Sequence, residues 1–98
     1  MAVTLYKANN KIHKFMAVFP DGKVIKFGRF GYSDYTKHKD KDRMKLYLSR
    51  HCKRENWSRS GVKTAGFWAR WLLWSSPNFN MALKITKRKL GQNLKFVK

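Results

Sequence analysis

The 98 residues include 23 Lys or Arg against five Asp or Glu, for a formal net charge of +18, with 43% hydrophobic and 15% aromatic residues. A chain of this length makes one domain with one modest core, burying about 60–65% of its unfolded surface, and so many aromatics exclude a disordered basic tail. The single cysteine, Cys52, excludes an internal disulfide framework and fits a reducing compartment. The most apolar window, Phe67 to Trp74, is too short to span a bilayer, and Met1 to Lys7 lacks the apolar region of a signal peptide.

Residues 1–30 read as an antiparallel sheet built around a β-hairpin. Residues 2–8 supply one strand, with Asn9-Asn10 as its turn, and residues 11–19 a second. In the second, Phe15, Ala17 and Phe19 share one face, and Met16 and Val18 the other. Pro20-Asp21-Gly22-Lys23 is a turn, because Pro presets φ and Gly accepts the left-handed position. Val24 to Phe27 returns with Ile25 and Phe27 on one face. Gly28 and Gly31 end or bulge that strand.

Tyr32 to Thr36 reads as a loop, and Ser33, Asp34 or Thr36 as the cap of the next helix. The spacing predicts that helix over 39–54, with Met44, Tyr47, Leu48 and His51 on one face. Asp40 and Asp42 near its start and Lys53-Arg54 at its end suit the helix dipole. Residues 55–63 are polar, with Gly61 as a turn, and Thr64 caps a Trp-rich helix over 65–74. Phe67, Trp71 and Trp74 form one stripe of it and Trp68 and Leu72 another, so it is expected to be central. Pro77 breaks the chain, and Asn78 or Asn80 caps a basic helix over 78–90 that Gly91 stops. On it Phe79, Ala82, Leu83 and Leu90 share a side. Residues 92–98 are a tail or an edge strand. The whole is α+β, with about three helices packed on one face of a small antiparallel sheet.

The charge is uneven. Residues 56–98 hold nine cations, no acid and all four tryptophans, for a net +9. Lys84, Lys87 and Arg88 lie on one side of the basic helix, with Lys89 adjacent. The 39–54 helix adds Lys41, Lys45, Arg50, Lys53 and Arg54, and the hairpin adds Lys14 and Lys26. Solvated faces explain interspersed charges but not an excess of this size, which points to polyanion contact, with those residues on Lys84–Lys89 and 41–54 touching phosphate. No zinc-finger, homeodomain or RNP1 pattern is present, so the contact is expected to be independent of sequence. Trp68, Trp71, Trp74 and Phe67 are expected in the core. Trp57, in a polar loop, is the candidate exposed aromatic, and an exposed patch joining it to Tyr32 and Tyr35 would instead favour a protein partner.

Chemistry has weaker support. His38-Lys39-Asp40 fails the spacing of the phospholipase D signature, where one residue separates His from Lys. His38, Asp40, Asp42, His51 and Cys52 lack paired metal-ligand spacing. Cys52 has no orienting third group or oxyanion hole nearby. Gly28-Arg29-Phe30-Gly31 matches no phosphate loop. The chain is therefore read as a non-enzyme, with no catalytic residue, metal or cofactor.

Gly31-Tyr32-Ser33-Asp34-Tyr35-Thr36-Lys37-His38-Lys39-Asp40, then Arg50-His51, Glu55, Trp57 and Thr64-Ala65-Gly66-Phe67-Trp68-Ala69-Arg70-Trp71-Leu72-Leu73-Trp74, carry a resemblance. Over about residues 28–74 the chain resembles a family of small basic proteins of large nucleocytoplasmic DNA viruses such as iridoviruses, marseilleviruses and phycodnaviruses. The resemblance implies a viral structural protein located in the virion, or otherwise in the reducing compartment of the infected cell. Its expected partner is double-stranded DNA packaged in the particle. The alternative it implies is a minor capsid protein meeting acidic capsid proteins or the internal membrane.

Overall fold

The computed structural model describes residues 2–8, 12–29, 31 and 33–97. The Asn9-Asn10 turn and Tyr32 lie outside them. β1 (Ala2–Lys7), β2 (His13–Val18) and β3 (Val24–Arg29) form the expected antiparallel meander, with Leu5 opposite Ala17 and Ala17 opposite Ile25. At the β2–β3 turn the Phe19 N–H donates to the Lys23 carbonyl (2.9 Å), and Gly22 takes the left-handed conformation at φ 91°.

The sheet is not purely antiparallel, as expected from residues 1–30 alone. β4 (Asn93–Val97) pairs in parallel with β1, Leu5 opposite Phe96, giving the order β3-β2-β1-β4. Parallel pairing needs a long crossover, and every helix among the described residues lies between these two strands. Alternation then puts Val3, Leu5, Ala17, Phe19, Ile25 and Phe27 in one core with Phe67, Trp68, Leu72, Leu73 and Leu90 from the helices. The fold is α+β. On the other sheet face Thr4, Tyr6, Met16 and Val18 are half-buried, while Val24 and Lys26 are exposed.

The predicted 39–54 helix is shorter, Lys41–His51, and a separate one-turn helix precedes it, starting inside the segment read as a loop. α1 (Tyr35–His38) is capped by Asp34 and stops at Lys39, which is left-handed at φ 56°. α2 (Lys41–His51) starts afresh at Asp40, whose carboxylate accepts from the Asp42 and Arg43 amides at 3.0 and 3.3 Å. Two Asx caps six residues apart each require an extended backbone, so no single helix can pass through both. Lys53 and Arg54 fall in the turn after α2. Met44, Tyr47, Leu48 and His51 do form one face, but none is fully buried.

The Trp-rich segment also departs from expectation. α3 (Ala65–Trp68), capped by Thr64, passes into a π-helical turn (Ala69–Leu73). The buried residues pair at i, i+5 (Phe67 with Leu72, Trp68 with Leu73), which is the π repeat and not the α repeat. The wider turn rotates Trp71 and Trp74 off the core axis. Only Trp68 of the three is fully buried, and Trp71 and Trp74 are half-buried at the core edge. α4 (Phe79–Leu90) is bounded by the Asn78 side chain, which accepts from the Met81 amide (3.1 Å), and by Gly91 at φ 74°. Ala82, Thr86 and Leu90 are its buried stripe, and the Thr86 hydroxyl donates to the Ala82 carbonyl (2.8 Å). No helix among the described residues is long and apolar enough to cross a membrane.

Candidate nucleic-acid interface

With Ala82, Thr86 and Leu90 turned inward, α4 turns Lys84, Lys87, Arg88 and Lys89 outward, and all four are exposed. The helix is about 18 Å long, at 1.5 Å per residue. Its C-terminal end meets the π turn. The Lys89 ammonium sits 4.7 Å from the centre of the Trp71 ring, and the Arg70 guanidinium carbon 4.2 Å from the same ring. Arg70 also lies 5.4 Å from the Trp57 ring. Both indoles are held: the Trp71 N–H donates to the Trp57 carbonyl (2.9 Å), and the Trp57 N–H to Glu55 Oε1 (3.0 Å). Burial lowers the Arg70 pKa, and its side chain donates to the Trp74 carbonyl (3.2 Å).

Trp57, Ser58, Arg59, Trp71, Arg88 and Lys89 line a cleft of about 370 Å³, and none of the six is acidic. Cations over indole faces gain cation–π attraction, and the exposed Lys89 ammonium keeps N–H groups able to donate to a phosphate. The loop carrying Trp57 is therefore where the aromatic and basic groups meet. Sequence reasoning missed Arg59 and Arg70 here. The available signal was adjacency: Arg70 directly precedes Trp71, and Arg59 follows Trp57 by two.

The other basic residues stand apart. Lys41, Lys45, Arg50, Lys53 and Arg54 are exposed, but none of them lines the Trp57–Trp71 cleft. Arg43 and Arg50 border a separate hollow of about 410 Å³ with Tyr47, His51 and Trp74. There Tyr47 is stacked between Trp74 and His51, 4.3 Å from each. Burial, and then the nearby Glu55 carboxylate, push the Tyr47 pKa far up.

Three expectations change. Tyr35 is buried as the first residue of α1, where the Asp34 cap turns it inward, so it offers no exposed contact. Trp57 is half-buried because its ring is anchored at both the indole N–H and the Arg70 face. Lys14 is not a free surface cation: its ammonium pairs with Asp34 at 2.6 Å, and its side chain is only 9% exposed.

The residues weighed for chemistry make local contacts. The Asp40 N–H donates to His38 Nδ1 (2.9 Å), and His51 Nδ1 faces Glu55 Oε2 (3.1 Å). Cys52 is exposed at the end of α2, its thiol directed at the Ser49 carbonyl (3.6 Å). No group of three or more His, Cys, Asp or Glu among the described residues is placed to hold a metal ion.

The model of a family of unknown function, DUF5754, matches residues 3–51, half of the chain. That span covers β1 to β3, α1 and α2. No curated protein and no solved structure matches.

Proposed function

We propose that this chain, which belongs to the DUF5754 family of unknown function, is a sequence-independent nucleic-acid-binding protein without catalytic activity. The observation that carries this reading is the acid-free cleft in which Arg59, Arg88 and Lys89 converge on Trp57 and Trp71. Lys84 and Lys87 extend it along α4. Guanidinium and ammonium donors on a convex helix contact phosphates, and half-exposed indoles accept a sugar face or, where a strand is open, an unpaired base. The 18 Å of α4 corresponds to about five base pairs at 3.4 Å each. Lys41, Lys45, Arg50, Lys53 and Arg54 form a second, outlying group that lengthens the footprint. The viral resemblance supports packaged double-stranded DNA as the polyanion and the virion as its location.

Fluorescence anisotropy with labelled duplexes of unrelated sequence tests this. The reading expects similar affinities for all duplexes and a large loss on reversing Lys84, Lys87 and Arg88 to Glu. Equal binding by that variant removes α4 from the interface. A second reading, a minor capsid protein contacting acidic capsid proteins or a membrane, draws on the uncovered sheet face, where Val24 is 43% exposed. A protein that bound acidic polypeptide but no duplex at low salt would favour it.

A further inference from the structure

A hollow of about 520 Å³ is walled by residues that the polyanion reading does not use. Phe15, Phe79 and Phe96 form its floor, Lys7, Lys37 and Asn80 stand on its rim, and the Lys14–Asp34 pair closes one side. The three rings are mutually packed, Phe15 to Phe79 at 5.7 Å and nearly parallel, Phe79 to Phe96 at 5.5 Å and tilted. All three are only half-buried, and Lys7, Lys37 and Asn80 are exposed. The volume lies within the range of about 300–1,000 Å³ typical of small-molecule sites, which are mostly apolar with a few convergent polar groups.

We infer that this hollow is a binding site for a mononucleotide. A floor of two nearly parallel rings and one tilted ring offers a planar ring system both offset and edge-to-face contacts, which are favourable beyond burial alone. The Asn80 amide presents both a donor and an acceptor to a base edge. Lys7 and Lys37 are cations on the rim with no acid beside them in the lining except Asp34. Asp34 is already neutralised by Lys14 and takes three hydrogen bonds, from Lys14 and from the Thr36 amide and hydroxyl. The net rim charge is therefore positive and fits a phosphate. An aliphatic carboxylate would satisfy the lysines but leave Asn80 without a role.

The site shares no lining residue with the Trp57–Trp71 cleft, so the inference stands or falls separately from the polyanion reading. The test is an NMR titration of the full chain with deoxyadenosine monophosphate, following the Phe15, Phe79 and Phe96 ring signals. Saturable shifts at these rings are expected. Deoxyadenosine, lacking the phosphate, and the Lys7→Glu/Lys37→Glu variant should each bind at least about tenfold more weakly, because each loses both lysine–phosphate contacts. Both lysines are exposed, so the variant should keep the fold. The Lys84→Glu/Lys87→Glu/Arg88→Glu variant should bind the nucleotide as the parent does. Absence of shifts at the three rings overturns the inference, as does equal binding by the nucleoside or by the Lys7/Lys37 variant.

Discussion

Replacing Asp34 by Ala should be among the most damaging single changes in this protein. Asp34 is 2% exposed. One oxygen accepts the Lys14 ammonium at 2.6 Å, and the other accepts the Thr36 amide at 2.9 Å and the Thr36 hydroxyl. The change removes the α1 cap, costing about 1 kcal/mol, and leaves the Lys14 ammonium, at the end of a side chain 9% exposed, without its counter-ion. Breaking a buried pair from one side costs roughly 3–5 kcal/mol. The total, about 4–6 kcal/mol, is a large part of the roughly 5–15 kcal/mol that stabilises a typical domain. Lys14→Met removes the other partner, while the remaining carboxylate keeps its Thr36 bonds, so about 2–4 kcal/mol is expected. The double variant should be more stable than Asp34→Ala alone, because no buried charge remains. Urea unfolding followed by tryptophan fluorescence measures all three. A cost below about 1 kcal/mol for Asp34→Ala, or a double variant equal to the sum of the singles, would refute the reasoning.

Gly28→Ala should cost upward of about 1–2 kcal/mol, because φ is 73° and a Cβ would lie 2.8 Å from Leu73 Cδ1; the shift in urea midpoint reports it. Tyr47, half-buried and stacked on Trp74, holds its proton above the ordinary value of 10.0. Its raised pKa means that the stability it contributes is whole below pH 10 and is lost as pH rises further, when the unfolded phenol ionises first. One of the four tyrosines should thus titrate late in ultraviolet difference absorbance, and Tyr47→Phe should abolish that late step. Trp57→Ala should weaken single-strand binding by about 1–3 kcal/mol, the value of one stacked base, measured by anisotropy with an oligonucleotide.

The local chemistry of this chain is legible where one residue decides the backbone. Thr64, Asn78, Gly91 and the Pro20–Lys23 turn stand where capping and turn rules put them. The β-alternation of Phe15, Ala17 and Phe19 was likewise readable. What escaped was decided by non-local partners. β4 pairs with β1 across about ninety residues, which no local pattern announces. Asp40 competes with helix propagation from α1, and the π turn replaces the α repeat because Phe67, Trp68, Leu72 and Leu73 all find space in one core. Of the candidate site, the exposed cations of α4 followed from spacing. Their convergence with Arg59, Arg70 and the two indoles depended on where the π turn points Trp71. Lys14 looked like surface charge because its partner, Asp34, lies 20 residues away.

The central claim is that α4 and the Trp57–Trp71 cleft bind phosphates. The salt dependence of duplex binding tests it most directly. With six to ten phosphate contacts, affinity should fall about 10³–10⁵-fold between roughly 50 and 200 mM salt. Reversing Lys84, Lys87 and Arg88 should make the logarithmic slope shallower by about 2.7, three contacts at 0.9 each. No binding at the low-salt end, or a slope unchanged by the triple variant, would contradict the account.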